Sequence, residues 1–154
     1  MKKTLSVGLI LLSLVSLIGC GSQNKAAETS SELVQKDLSQ KDVDAINIGF
    51  NIKELSKELG KPVKIWKSDD FIYSQIDDAI KVNEIAESLV HDEQINHYKN
   101  LKEIGSKAKE IDGLELYQFE YLSSTDTKET FLAWVNPKNN TVVYINQRPY
   151  IDAS

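Results

Sequence analysis

Apolar residues follow three successive patterns along this 154-residue chain. A largely apolar stretch, with serines at positions 6, 13 and 16, fills positions 5–18. Spacings of three and four residues recur between positions 52 and 104, and alternation begins near residue 107. Spacings of three and four are typical of amphipathic helices, and alternation is typical of strands. The order of the patterns therefore predicts an N-terminal apolar segment, then helices, then strands.

The best-defined local signal predicts a short helix whose first and last residues are both indicated by the sequence. Asn51 is a predicted N-cap, and Glu54 stands at the third helical position, where it completes a capping box. The helix is expected to end at Leu59, because Gly60 can take a left-handed conformation and Pro62 cannot continue the helix.

Longer patterns predict the remaining elements. A helix within residues 70–90 is indicated by apolar residues near helical spacing, namely Ile72, Ile76, Ile80, Ile85 and Leu89. A second helix is expected from about residue 92 until Gly105. Strands are predicted at residues 63–66, 108–111, 114–122, 129–135 and 141–147, with Asp112 and Gly113 as a tight turn. Helices followed by a strand meander predict an α+β fold, with the helices packed on one face of a small antiparallel sheet.

The N-terminal segment resembles a bacterial lipoprotein signal peptide. Two lysines precede the apolar run, which ends in Leu17-Ile18-Gly19-Cys20 and is shorter than the roughly 20 residues that span a bilayer. The order Leu-x-Gly-Cys resembles a lipobox, which implies a diacylglycerol on the Cys20 sulfur, cleavage before Cys20 and further acylation, for example by palmitate. An ordinary secretory signal or an uncleaved anchor helix are the alternatives.

These signals predict three parts in the chain. Residues 1–19 are the expected signal peptide, residues 20–43 a lipidated flexible tether, and residues 44–154 an α+β domain with a helical insertion at about 70–105. Small polar residues from Gly21 to Glu32 favour a disordered spacer spanning roughly 20 Å. Residues 33–43 are either a short helix docked on the domain or a continuation of the linker.

Charge and composition exclude several classes of protein. The chain carries 23 acidic and 18 basic side chains, and without residues 1–19 the balance is 16 basic to 23 acidic, a net charge of −7. This acidity and the single arginine, Arg148, argue against nucleic-acid binding. One cysteine excludes an internal disulfide and a Cys-rich zinc site.

Side chains that often carry chemistry are present, but in patterns typical of surfaces. His91 and His97 are six residues apart and do not share a helix face, and Glu93 with His97 supplies only two ligands of a metal site. The acidic residues of the first long helix lack the glycine of a calcium loop; they are Asp69, Asp70, Asp77 and Asp78. The hydroxyls of residues 123–127 lack a nucleophile elbow. We expect no metal, no cofactor and no catalytic site.

An aromatic sheet face is the candidate partner surface. Tyr117, Phe119 and Tyr121 alternate along one predicted strand and share one face of it. If helices cover only the other face, these aromatic side chains remain exposed, as in many binding surfaces. The alternative is that the linker or the helices cover them.

One stretch resembles a known family. Ile48-Gly49-Phe50-Asn51, then Leu55, then Leu59-Gly60-Lys61-Pro62 is similar to the signature of small bacterial lipoproteins of the SmpA/OmlA (BamE-like) family. Phe50 stands for the usual Met and Asn51 for the usual Thr, and both keep the local chemistry. The resemblance implies helices on one face of a small antiparallel sheet and a role in binding or assembly. Residues 70–105 would be an insertion in that pattern.

These observations together predict a non-catalytic protein-interaction module, held by a lipid anchor at the extracytoplasmic face of the cell membrane. Its partner is expected to be another envelope protein, held by the sheet face or by the helical insertion. One alternative is a small-ligand-binding or sensing lipoprotein, which needs an apolar pocket between helices and sheet. A further alternative is an exclusion lipoprotein of a phage or mobile element.

Overall fold

The computed structural model describes residues 33–149; the predicted signal peptide, Cys20 and residues 21–32 of the predicted tether lie outside this range. The elements, in chain order, are β1 (Leu38–Ser39), α1 (Gln40–Asp44), α2 (Ile52–Leu59), β2 (Lys64–Trp66), α3 (Asp69–Leu89), α4 (Asp92–Lys109), β3 (Glu115–Leu122), β4 (Lys128–Asn136) and β5 (Thr141–Pro149). Helices and a separate strand meander confirm the α+β class.

The five strands form one sheet around β3. Strands β3, β4 and β5 follow one another as antiparallel neighbours, as the alternation predicts. The other edge of β3 is shared, since β2 pairs antiparallel with it through Ile65 and Tyr117, and β1 pairs parallel with it through Leu38 and Tyr121. The sheet is therefore mixed rather than purely antiparallel.

Helices cover both faces of this sheet, and the prediction of helices on one face is wrong. Helices α3 and α4 pack on the face that carries Leu116, Leu132 and Trp134. Helices α1 and α2, with β1, pack on the face that carries Phe119 and Phe131. The physical reason is that the α3–α4 hairpin covers one face completely. The apolar side chains of the shorter N-terminal elements can then be buried only against the opposite face.

Helix α2 begins as its sequence predicts. The Asn51 side chain accepts hydrogen bonds from the backbone N–H groups of Lys53 and Glu54, at 2.9 and 3.0 Å. The Glu54 carboxylate in turn accepts the Asn51 N–H at 2.7 Å, which completes the capping box. These bonds satisfy backbone donors that the first helical turn leaves without partners.

The folded domain begins before residue 44, which corrects the predicted end of the tether. Leu38 and Val43 are buried in the core beneath α2. The Lys36 ammonium donates to the carbonyl oxygens of Lys57 and Glu58, at 2.6 and 3.0 Å, and so caps the C-terminal end of α2. Of the two alternatives for residues 33–43, the structure has the segment docked on the domain, with a helix only at Gln40–Asp44, because Leu38 and Val43 reach the core.

Helix α4 begins at its predicted position, Asp92, but runs past its predicted C-terminal end at Gly105 to Lys109. Gly105 lies inside the helix, where a Cβ would stand 3.0 Å from Ile80 Cγ1 and 3.3 Å from Tyr144 Cζ. This glycine therefore permits close packing of α4 on α3 and the sheet, and does not terminate the helix. The predicted strand at residues 108–111 is wrong, because α4 continues through Lys109. Asp112 and Gly113 connect that helix to β3.

We expect Gly60→Ala to destabilise the domain by about 2–3 kcal/mol. Gly60 has a φ of +72°, and a Cβ there would stand 2.5 Å from the Val34 carbonyl oxygen. The substitution therefore combines backbone strain with a collision against the docked segment 33–39. Urea unfolding measures the free energy of unfolding.

Gly49→Ala is the matched control. Gly49 also has a positive φ, +97°, but a Cβ there meets nothing within 4 Å. This variant should show the strain alone, about 1 kcal/mol. Equal losses in both variants would contradict the close approach of Val34 to Gly60.

Candidate docking surface

The aromatic residues predicted as a partner surface lie in the core. Tyr117, Phe119 and Tyr121 share one sheet face as predicted, but they are only 7%, 2% and 2% exposed. Their apolar neighbours include Leu55 and Leu59 of α2. The prediction that they form a partner-binding surface is therefore wrong, because α1, α2 and β1 cover the face that the helical hairpin leaves open.

Both tyrosine hydroxyls on this face are held by carboxylates. Tyr117 donates to Glu115 at 3.0 Å, and burial, followed by that hydrogen bond, raises the pKa of Tyr117 to about 12. Tyr121 donates to Glu129 at 2.7 Å, and burial is again the main reason why the pKa of Tyr121 is raised. The phenols therefore remain neutral hydrogen-bond donors that join the sheet face to its rim.

The histidines and acidic residues remain on the surface of the helical hairpin. His91 and His97 are exposed, and His97 packs edge-on against the ring of Tyr98 with 5.3 Å between ring centroids. Asp77 pairs with Lys109 at 2.5 Å. Among residues 33–149, no group of three or more His, Cys, Asp and Glu side chains is placed to hold a metal ion.

The first half of α3 is anchored to the sheet. Its buried side chains recur at helical spacing and are Ile72, Ile76, Ala79 and Asn83. At the end of this series, the Asn83 amide donates to the Tyr144 hydroxyl at 3.1 Å. Asn83 is the last buried residue of α3, since every later position of the helix is at least partly exposed.

The second half of α3 carries three exposed apolar side chains, which we call the α3 stripe: Val82, Ile85 and Leu89. They are 60%, 61% and 78% exposed. Spacings of three and four residues place them on one side of the helix, in the pattern by which a helix docks against a second helix. Adjacent exposed apolar side chains of this size mark interaction sites more often than isolated ones do.

Helix α4 holds α3 from the opposite side. Glu87 pairs with Lys102 at 2.5 Å, and Asp77 pairs with Lys109 near the other end of the hairpin. At 100° per residue, the members of the α3 stripe lie about 140–160° around the helix from Glu87. The stripe therefore points away from α4 and presents a surface that α4 does not cover.

Two surface grooves adjoin strand β1. The larger has a volume of about 510 Å³ and is lined by residues 35–38, residues 120–122 and Lys128. The smaller, of about 370 Å³, runs past residues 37–41 and the β3–β4 loop. Both lie at the sheet edge rather than between helices and sheet, where the ligand-binding alternative requires a pocket.

Comparison of the chain with protein-family models, with curated proteins and with solved structures gives no match. The resemblance of residues 48–62 to SmpA/OmlA lipoproteins thus stays a prediction. Within residues 33–149, no helix has the length and apolar character needed to cross a membrane. The fold and surface define an α+β domain with an exposed apolar stripe on one helix.

The sequence does not predict that the α3 stripe is exposed, because its residues fit the pattern of a buried helix face. Ile85 and Leu89 continue the predicted series that includes Ile72 and Ile76. The available signal is a change of phase, since the buried series passes through Asn83 while Val82 begins a second series one residue earlier. Two apolar series on one helix indicate two surfaces to cover.

Proposed function

We propose that this protein is a lipoprotein anchored through Cys20 at the extracytoplasmic face of the cell membrane, where it acts as a non-catalytic module that binds another envelope protein. The observation that carries the proposal is the α3 stripe. Three large apolar side chains at helical spacing remain exposed on an element that ion pairs and core packing hold in place. Stable presentation of an apolar seam favours docking of a preformed partner.

The acidic residues at the two ends of the α3 stripe indicate what kind of partner it would bind. Asp78 lies one turn before Val82, and Asp92 and Glu93 begin α4 shortly after Leu89. An apolar seam with acidic ends fits an amphipathic partner helix whose own apolar seam has lysine or arginine at its borders. The apolar contacts supply affinity, and the acidic ends favour one orientation of the bound helix.

We expect the double variant Ile85→Asp/Leu89→Asp to lose capture of the partner by about 30-fold or more, as for the removal of a binding hot spot. The measurement is crosslinking in intact cells that express the affinity-tagged full chain, followed by quantification of the captured envelope protein. Because both side chains are exposed, the free energy of unfolding should change by less than about 0.5 kcal/mol per substitution.

Leu122→Asp is the matched control for this experiment. Leu122 is also an exposed leucine, but it lines the grooves beside β1. Unchanged capture by the α3 variant, with loss in Leu122→Asp, would overturn the stripe as the docking site and move it to the grooves. Cys20→Ala tests the anchor separately, since a lipoprotein loses its stable membrane association when the acylated residue is removed.

A further inference from the structure

Charge is distributed unevenly between the two halves of the described chain. Residues 33–67, which include α1 and α2, carry seven lysines and five acidic side chains, a net charge of +2. Residues 68–149 carry eight basic and fifteen acidic side chains, a net charge of −7. Helix α3 alone contains six acidic residues and one lysine. Helix α2, with two lysines and two glutamates, packs on the opposite face of the sheet and is much less acidic than α3.

Lysines on the α2 side are exposed and close together. Lys53 and Lys57 are one turn apart on the helix, and Lys61 follows directly after its end. The acidic residues on the same helix are Glu54 and Glu58, of which Glu54 is engaged in the capping box. The net charge of this surface is therefore positive in a protein that is acidic as a whole.

Two exposed apolar side chains adjoin these lysines. The Val34 carbonyl accepts the Lys61 N–H at 3.1 Å, which places Leu33 and Val34 at the C-terminal end of α2. Leu33 is 48% exposed and Val34 is 72% exposed. We call this surface, formed by Lys53, Lys57 and Lys61 with Leu33 and Val34, the lysine face. Apolar side chains among lysines are typical of proteins that rest on an anionic bilayer.

The lysine face includes Leu33, the first described residue after the expected anchor at Cys20. Twelve residues separate Cys20 from Leu33, and a chain of that length reaches at most about 45 Å even when fully extended. The proposed anchor therefore keeps Leu33 within that distance of the bilayer. The acidic helix α3 lies on the far side of the sheet, and screening over about 8 Å at physiological salt weakens its repulsion from the same membrane.

We propose that the lysine face binds the anionic lipid surface of the membrane that holds the anchor, so that the domain has one preferred orientation. This proposal rests on the lipid anchor of the proposed function and adds the second contact to it. Each lysine near an anionic surface contributes about fivefold in binding. Lys57 and Lys61 together therefore favour the docked orientation by about 25-fold.

The test measures the depth of two positions on the full-length, acylated protein in vesicles. Glu58→Cys on α2 and Ser88→Cys on α3 each introduce a single free thiol for a fluorescent probe, since the proposed acylation occupies the sulfur of Cys20, the only native cysteine. Mass spectrometry first verifies acylation. The vesicles contain about 30% phosphatidylglycerol, or phosphatidylcholine alone, with a headgroup-attached quencher.

Stronger quenching at position 58 than at position 88, on the anionic vesicles only, is the expected result. Lys57→Glu/Lys61→Glu should abolish the difference, whereas the control Lys81→Glu/Lys99→Glu, with the same charge change on α3 and α4, should preserve it. Equal quenching at both positions overturns the orientation and leaves the anchor and the α3 stripe intact. Loss of quenching at both positions overturns the anchor, and the orientation with it.

Discussion

Phe119→Asp is expected to prevent folding of the domain. Phe119 is 2% exposed, and its ring centroid lies 6.3 Å from that of Phe131. Loss of a buried aromatic ring costs about 3–5 kcal/mol, and burial of an unpaired carboxylate adds to that cost. The sum is comparable with the whole stability of an ordinary domain, about 5–15 kcal/mol.

The matched control for Phe119→Asp lies on the same strand. Leu122 of β3 is 52% exposed, so Leu122→Asp should change the free energy of unfolding by less than about 1 kcal/mol. Circular dichroism and urea unfolding compare the two variants. A stable, folded Phe119→Asp protein would mean that the aromatic face is open to solvent, as the sequence pattern first predicts.

Trp134→Ala should destabilise the opposite side of the sheet by about 4 kcal/mol. Trp134 is fully buried, and its ring packs 5.1 Å from that of Tyr144, between centroids. Its indole N–H donates to the Ile72 carbonyl at 3.2 Å and so joins β4 to α3. The substitution removes this bond and leaves a cavity beneath the helical hairpin, which urea unfolding detects as a lower midpoint.

Trp66→Ala supplies the comparison for Trp134→Ala. Trp66 is only half-buried, on β2 at the sheet edge, although its indole N–H also donates a hydrogen bond, to Gln118 at 2.9 Å. Partial burial limits the expected loss to about 2 kcal/mol. A loss for Trp66→Ala equal to or greater than that for Trp134→Ala would contradict the placement of the main core under α3.

The two proposed surfaces have complementary positions. The lysine face belongs to the layer of α2, and the α3 stripe belongs to the helical hairpin on the opposite face of the sheet. A domain that rests on lipid through its lysine face therefore presents the α3 stripe away from that contact. Membrane binding and partner binding would then use different sides of the sheet and would not compete.

Elements with purely local signals are predicted well. The start of α2 follows from Asn51 and Glu54, whose hydrogen bonds span only three residues. The turn before β5 contains Asn140 with a φ of +57°, in agreement with the tolerance of asparagine for this conformation. Gly105 is the counterexample. A glycine is needed there because the helix closely approaches Ile80 and Tyr144, which are distant in sequence, so local signals misassign it as a helix end.

The sequence by itself determined where α2 begins, the approximate positions of most helices and strands, and the α+β class, because these depend on residues a few positions apart. Only the tertiary structure decided what covers each apolar side. The aromatic face of β3 is buried because α1, α2 and β1 pack on it, and the α3 stripe is exposed because sheet contacts on that helix end near Asn83. Burial depends on which elements pack against each other, and the apolar periodicity of one element does not specify its packing partner.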